Sequence, residues 1–118
     1  MLKIYFLGYS KKKTRIINFL NKKKFKVKTL HNRVLNQKNA RDADLIISFG
    51  YKKIIHKKIL RLTKRPIINL HMSFLPYNRG AHPNFWSFVD NTPKGISIHE
   101  IDEKIDMGRL ILRRKIKF

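Results

Sequence analysis

Residues 66–108 read PIINLHMSFLPYNRGAHPNFWSFVDNTPKGISIHEIDEKIDMG and contain all four prolines of the chain. The segment opens with Pro66-Ile67-Ile68-Asn69-Leu70-His71-Met72-Ser73, apolar at first and then alternating between polar and apolar. Residues two apart on a strand share a face, so Asn69, His71 and Ser73 fall on one side and Leu70 and Met72 on the other. An amide, an imidazole and a hydroxyl on one face, where a buried strand runs out, suit an active site. Ligands of open α/β sheets bind beyond the carboxyl ends of the strands. The same alternation also describes an ordinary solvated strand end, and both readings stand at this point.

Downstream, residues 75–80 (LPYNRG) form a loop with a rigid entry and a permissive exit, because proline fixes φ and glycine allows positive φ. Pro83 suits the first turn of a helix, on which Phe85, Trp86, Phe88 and Val89 make an apolar face. Residues 92–95 (TPKG) have the composition of a type I turn. A strand over residues 96–101 then leads into the acidic loop 102–108.

Upstream, residues 2–7 read as a buried strand ended by Gly8, followed by a helix from Ser10 to about Leu20 with Ile16, Ile17 and Leu20 on its inner face. A single glycine between strand and helix, without G-x-G-x-x-G, is weak support for a dinucleotide site. Residues 25–30 alternate Phe, Lys, Val, Lys, Thr and Leu, as an edge strand with lysines facing water would. Residues 31–43 (HNRVLNQKNARDA) show no period and are expected to be a short connection. Residues 45–49 (LIISF) form a second buried strand stopped by Gly50. Ile55, Ile59 and Leu62 then mark one face of a basic helix ending before Pro66. Strands alternating with helices argue an α/β fold with a mostly parallel sheet and flanking helices.

At 118 residues the chain is the size of one domain, expected to span residues 1–118. No apolar run approaches the ~20 residues of a membrane-spanning helix. The first residues lack the charge-then-apolar order of a secretory signal. The absence of cysteine excludes disulfides and thiolate metal sites and suits a cytoplasmic protein. His71, His82 and His99 lack the spacing of a ligand set, so no metal is expected. His99, on its strand, is expected to pack or hydrogen-bond rather than react.

The net charge is +21. A basic field of that size attracts polyanions such as tRNA, DNA, an anionic membrane or a nucleotide-linked substrate. Lysine enrichment from AT-rich coding is the favoured explanation, since Asn and Ile are also abundant. The basic residues are spread along the chain and are not interleaved with aromatics for base stacking, so they make a general field rather than a reading motif.

Three segments carry a resemblance: Asn69-Leu70-His71-Met72-Ser73-Phe74-Leu75-Pro76-Tyr77-Asn78-Arg79-Gly80, then Gly95-Ile96-Ser97-Ile98-His99, then Ile105-Asp106-Met107-Gly108. In that order they resemble the signature of the 10-formyltetrahydrofolate-dependent formyltransferases, which act on methionyl-tRNA, glycinamide ribonucleotide or amino sugars. The wording around Trp86 resembles the compact sugar-acting branch. The resemblance covers residues 45–118 well and the first forty or so in outline.

The resemblance implies a Rossmann-like formyltransferase catalytic domain in abbreviated form, with a strand–helix unit missing before Leu45 and the later C-terminal helices absent. It implies 10-formyltetrahydrofolate as co-substrate and Asn69, His71 and Asp106 as the catalytic group. Phe49, Gly50 and Tyr51, with Ile101, Asp102, Glu103 and Ile105, become the candidates for holding the folate. Ser73, Arg79 and Trp86 become candidates for the acceptor, although Trp86 also reads as core and Arg79 as a loop brace. The chemistry agrees: an attacking amine drives negative charge onto the formyl oxygen, and preorganised N–H donors stabilise it. A carboxylate beside an imidazole keeps it charged and oriented, the part expected of Asp106. An amine on an anionic, nucleotide-linked sugar is the favoured acceptor. Methionyl-tRNA, hydrolysis of formyltetrahydrofolate, and a non-catalytic basic nucleic-acid-binding module on this scaffold are the alternatives, and a homodimer is open.

Overall fold

The computed structural model describes residues 1–71, 95–101 and 110–115. The chain divides into two compact units, Met1–Ile67 and Ile68–Phe118.

The first unit is a parallel β-α-β-α-β arrangement. Strand β1 (Lys3–Gly8) pairs in parallel with β2 (Lys26–His31) on one side and β3 (Leu45–Phe49) on the other. Four consecutive residues of β1, Ile4 to Leu7, are buried, which identifies it as a central strand covered on both faces. On one face Ile4 and Phe6 pack with Ile17 and Leu20 of helix α1 (Ile16–Lys22), joined by Phe25, Val27, Leu45, Ile47 and Phe49. Tyr5 and Leu7 alternate to the other face, where Tyr5 reaches the end of helix α2 (Gln37–Asp42). Lys26 and Lys28 of β2 stay exposed while Val27 and Thr29 are half-buried, so the alternation read in the sequence does mark water-facing lysines.

Three helices differ from the sequence expectation. Helix α1 begins at Ile16 rather than near Ser10, because Lys13 and Thr14 first close a turn on the Ser10 carbonyl. Three lysines at 11–13 would oppose the positive end of a helix dipole there. Residues 31–43 are not a plain connection, since α2 lies inside them. The Asn36 side chain caps it by accepting from the Asn39 N–H at 2.8 Å, and Ala40 seats it with no exposure. The crossover from β2 to β3 therefore carries its own helix. Helix α3 (Lys57–Leu60) is a single turn, shorter than the expected basic helix. Lys57 and Arg61 stand one turn apart with like charge, which weakens a longer helix. Among the described residues no helix is long and apolar enough to cross a membrane.

The starting edge of this sheet is tied by acids. Asp42 accepts from Lys3 Nζ at 2.7 Å and from the Tyr5 hydroxyl at 2.6 Å, with Lys28 Nζ at 3.8 Å. Asp44 accepts from the Lys3 backbone N–H at 2.8 Å and from Lys64 Nζ at 3.2 Å. The hydrogen bond from Lys3, then that from Tyr5, hold the Asp42 carboxyl well below the usual range. A carboxylate with a depressed folded-state pKa adds stability that is present above its unfolded value and lost as pH falls through the folded one. Acid titration of the melting temperature should therefore show a loss below about pH 4 that Asp42→Asn flattens. An unchanged acid limb in Asp42→Asn would remove this cluster from the acid response. Burial, then the bond to Asp42, push the Tyr5 phenol up to about 12, so it stays a neutral donor across this range.

The second unit is antiparallel in its described strands. Strand β4 (Ile68–His71) pairs with β5 (Gly95–Glu100), which pairs with β6 (Leu110–Lys115). The expected helix after Pro83 and the loops around it lie outside the described residues.

Candidate active site

In the second unit the strand pairing builds a polar surface. The β4–β5 register sets Asn69 opposite His99 and His71 opposite Ser97. Opposed residues of an antiparallel pair share a face, so an amide, two imidazoles and a hydroxyl form one patch. This face is the more buried one. Ser97 and His99 are each 1% exposed and His71 7%, whereas Leu70, Ile96 and Ile98 on the alternate face are only half-buried. Asn69 on this face is itself half-buried, so the face is buried at His71, Ser97 and His99 and more open at Asn69. Burying polar groups is tolerable only when they are hydrogen-bonded. Among the described residues no buried side-chain nitrogen or oxygen lacks a partner.

Two of the bonds are specific. Asn69 Nδ2 lies 3.1 Å from His99 Nε2, and His99 Nδ1 lies 3.0 Å from the Glu100 carbonyl oxygen. The His71 and His99 rings meet edge to face with centroids 6.2 Å apart. Asn69 and His71 thus share the face that the sequence predicts for them. Ser97 and His99 were legible as motif members but not as parts of the patch. The alternation Gly95-Ile96-Ser97-Ile98-His99 was the signal available. Asp106, Ser73, Arg79, Trp86, Asp102, Glu103 and Ile105 lie outside the described residues, and Ile101 is half-buried just beyond β5.

In the first unit, β1 lies between β2 and β3, so the chain reverses its direction of winding at the β1/β3 boundary. Ligand crevices of open α/β sheets form at such switch points, outside the carboxyl ends of the strands. Here those ends are Gly8 and Phe49, and they are tightly built. The Tyr9 N–H donates to the Phe49 carbonyl at 2.9 Å, and the two rings pack edge to face with centroids 4.8 Å apart. Gly8 and Gly50 have φ of +106° and +72°. A Cβ on Gly50 would sit 2.4 Å from the Tyr9 ring, so Tyr9 lies directly against the turn that contains two folate candidates. The third, Tyr51, uses its hydroxyl as a latch, donating to the Arg33 carbonyl at 2.7 Å and accepting from the Leu35 N–H at 3.1 Å. Lys52 N–H adds a bond to Asn32 Oδ1 at 3.0 Å. The Tyr51 hydroxyl is thus engaged within the fold, and its burial raises the phenol above its ordinary pKa. Ser10, Lys11, Lys12, Thr29 and His31 line an open surface hollow of about 270 Å³.

A parallel α/β unit with glycine turns at its switch point, and a strand pair with an amide–imidazole face, define a Rossmann-like fold. The chain belongs to the formyl transferase family, whose model matches residues 3–118. Its structure is similar to that of the formyltransferase PseJ from Anoxybacillus kamchatkensis, solved in complex with UDP-4,6-dideoxy-4-formamido-L-AltNAc and tetrahydrofolate. The two are 41% identical with a TM-score of 0.86, over 98% of this chain and 61% of that one. GDP-perosamine N-formyltransferase of Brucella melitensis is 37% identical over 64% of this chain and 29% of its own length. Methionyl-tRNA formyltransferase of Fusobacterium nucleatum is 38% identical over 77% of this chain and 28% of its own length. The chain spans less than a third of the length of these two curated relatives.

Proposed function

We propose that this chain transfers a formyl group from 10-formyltetrahydrofolate to a primary amine, with an amino sugar nucleotide as acceptor, in cytoplasmic one-carbon metabolism. The observation that carries the proposal is the strand face on which half-buried Asn69 and buried His71 stand together, in a chain so similar to PseJ. The donor set fits the co-substrate, because formyl transfer develops negative charge on one oxygen and amide and imidazole N–H groups stabilise such charge. Asn69 supplies an amide N–H. His71 supplies a ring N–H, and Asp106 is assigned to orient it and to pass on the amine's proton through a water. Phe49, Gly50 and Tyr51, with Ile101, Asp102, Glu103 and Ile105, are assigned to the folate, and Ser73, Arg79 and Trp86 to the acceptor. Tyr51 would act by its backbone or ring, since its hydroxyl is engaged with Arg33 and Leu35.

Methionyl-tRNA is the second reading, favoured by the Fusobacterium relative and the net charge of +21. One assay separates the possibilities: release of tetrahydrofolate with a panel of amino sugar nucleotides, methionyl-tRNA, or no acceptor. Release with amino sugar nucleotides alone is the expected result. Release only with methionyl-tRNA transfers the proposal to the second reading, and release without acceptor to a hydrolase. No release from protein that a saturating folate analogue fails to stabilise against heat would overturn folate chemistry and leave a basic nucleic-acid-binding module.

A further inference from the structure

We propose that His99 is the positioning residue of Asn69, using a bare Nε2 to accept one amide proton and so fix which way the amide faces. The proposal rests on the reading of Asn69 as a donor in formyl transfer. A carbonyl oxygen can only accept, so the contact of 3.0 Å between His99 Nδ1 and the Glu100 carbonyl requires a proton on Nδ1. In a neutral imidazole the other nitrogen is then an acceptor. That nitrogen faces Asn69 Nδ2 at 3.1 Å, and an amide nitrogen can only donate. Donor and acceptor roles therefore run one way from Asn69 through His99 to Glu100. A flipped Asn69 would set its Oδ1 against the bare ring nitrogen, two acceptors face to face. The amide is thereby locked, and its second N–H and its oxygen take the directions that remain.

Two further features agree with a held ring. His99 is 1% exposed, which leaves the imidazole little room to turn. The pairing of β5 with β6 shifts register between Ile98 and His99, where Ile98 faces Leu112 and His99 faces Leu110, so Ile111 is the extra residue. Irregularities of this kind re-aim the side chains beside them. This one falls where β5 presents His99 to Asn69.

The test has two arms. ¹⁵N NMR of the unaltered protein should find His99 protonated at Nδ1 and bare at Nε2, a result independent of turnover and of any variant's folding. In the tetrahydrofolate-release assay, H99F keeps the ring volume without the acceptor. It should lower kcat ~10-fold or more with the folate KM within about two-fold. H99Q, whose amide oxygen can replace Nε2, should restore most of that loss. In an N69A background H99F should cost nothing further, since contacting residues couple and independent ones add. Protonated Nε2, or an equal loss from H99F with and without the Asn69 side chain, overturns the proposal. Full turnover by N69A instead overturns the reading of Asn69 on which it depends, and the proposal with it.

Discussion

Replacing His71 with alanine should lower formyl transfer at least ~10²-fold while folate affinity changes little, because the proposed function assigns the ring to the reacting atoms rather than to binding. His71 stands on the buried face of β4 beside Asn69, 7% exposed and opposite Ser97. There a hydrogen-bond donor works in a water-poor site, where one well-aimed donor is worth about 3–4 kcal/mol to the transition state. Asp106→Asn should cost a similar factor by removing the carboxylate assigned to orient the imidazole. The double variant should lose far less than the product of the two, since groups acting as a unit are not additive. Ser73→Ala should matter much less. Initial rates with folate and acceptor varied separately give kcat and KM for each variant. Near-full turnover by either single variant would overturn the assigned mechanism.

The second large effect is on stability. Gly8→Ala should cost at least ~3 kcal/mol, measured by urea unfolding, through a clash and a forbidden backbone together. An added Cβ would lie 1.9 Å from the Phe49 carbonyl oxygen, and the residue has φ of +106°. The Phe49 oxygen is backbone on the neighbouring strand and already accepts from Tyr9, so it cannot yield without parting β1 from β3. Gly50→Ala makes the comparison. The atoms nearest its Cβ would be those of the Tyr9 ring, the far end of a side chain that can swing away, and φ of +72° is in the left-handed region at a cost of about 1–2 kcal/mol. Gly8→Ala should be clearly the worse of the two, and the reverse order would mean that the β1/β3 corner is not held as described.

The strands of the first unit were legible because central parallel strands are continuous apolar runs. Residues 3–8 and 45–49 show that pattern, and the lysine alternation of β2 marks its exposed edge. The motif residues of the site were equally legible, since period-two alternation puts Asn69 and His71 on one face without reference to the rest of the chain. Helix α2 was not. Its inner face is little more than Ala40 and Ala43, and the Asn36 cap, not an apolar period, sets its start. The turn before α1 and the single turn of α3 were hidden likewise, because helix ends depend on charge and capping geometry that periodicity does not report.

What the sequence by itself determined is which residues face together along each strand, together with the family signature and hence the chemistry proposed. What only the tertiary structure decided is which strand meets which, in what direction and register. Alternation says that His99 shares a face with Ser97. Only the antiparallel pairing of β5 with β4 sets that face beside Asn69 and His71 and makes it the buried one. The Tyr51 latch on residues 33 and 35 has the same origin. Local pattern is a property of neighbours in the chain, whereas a hydrogen bond across 30 residues exists only after long-range packing has chosen the partner.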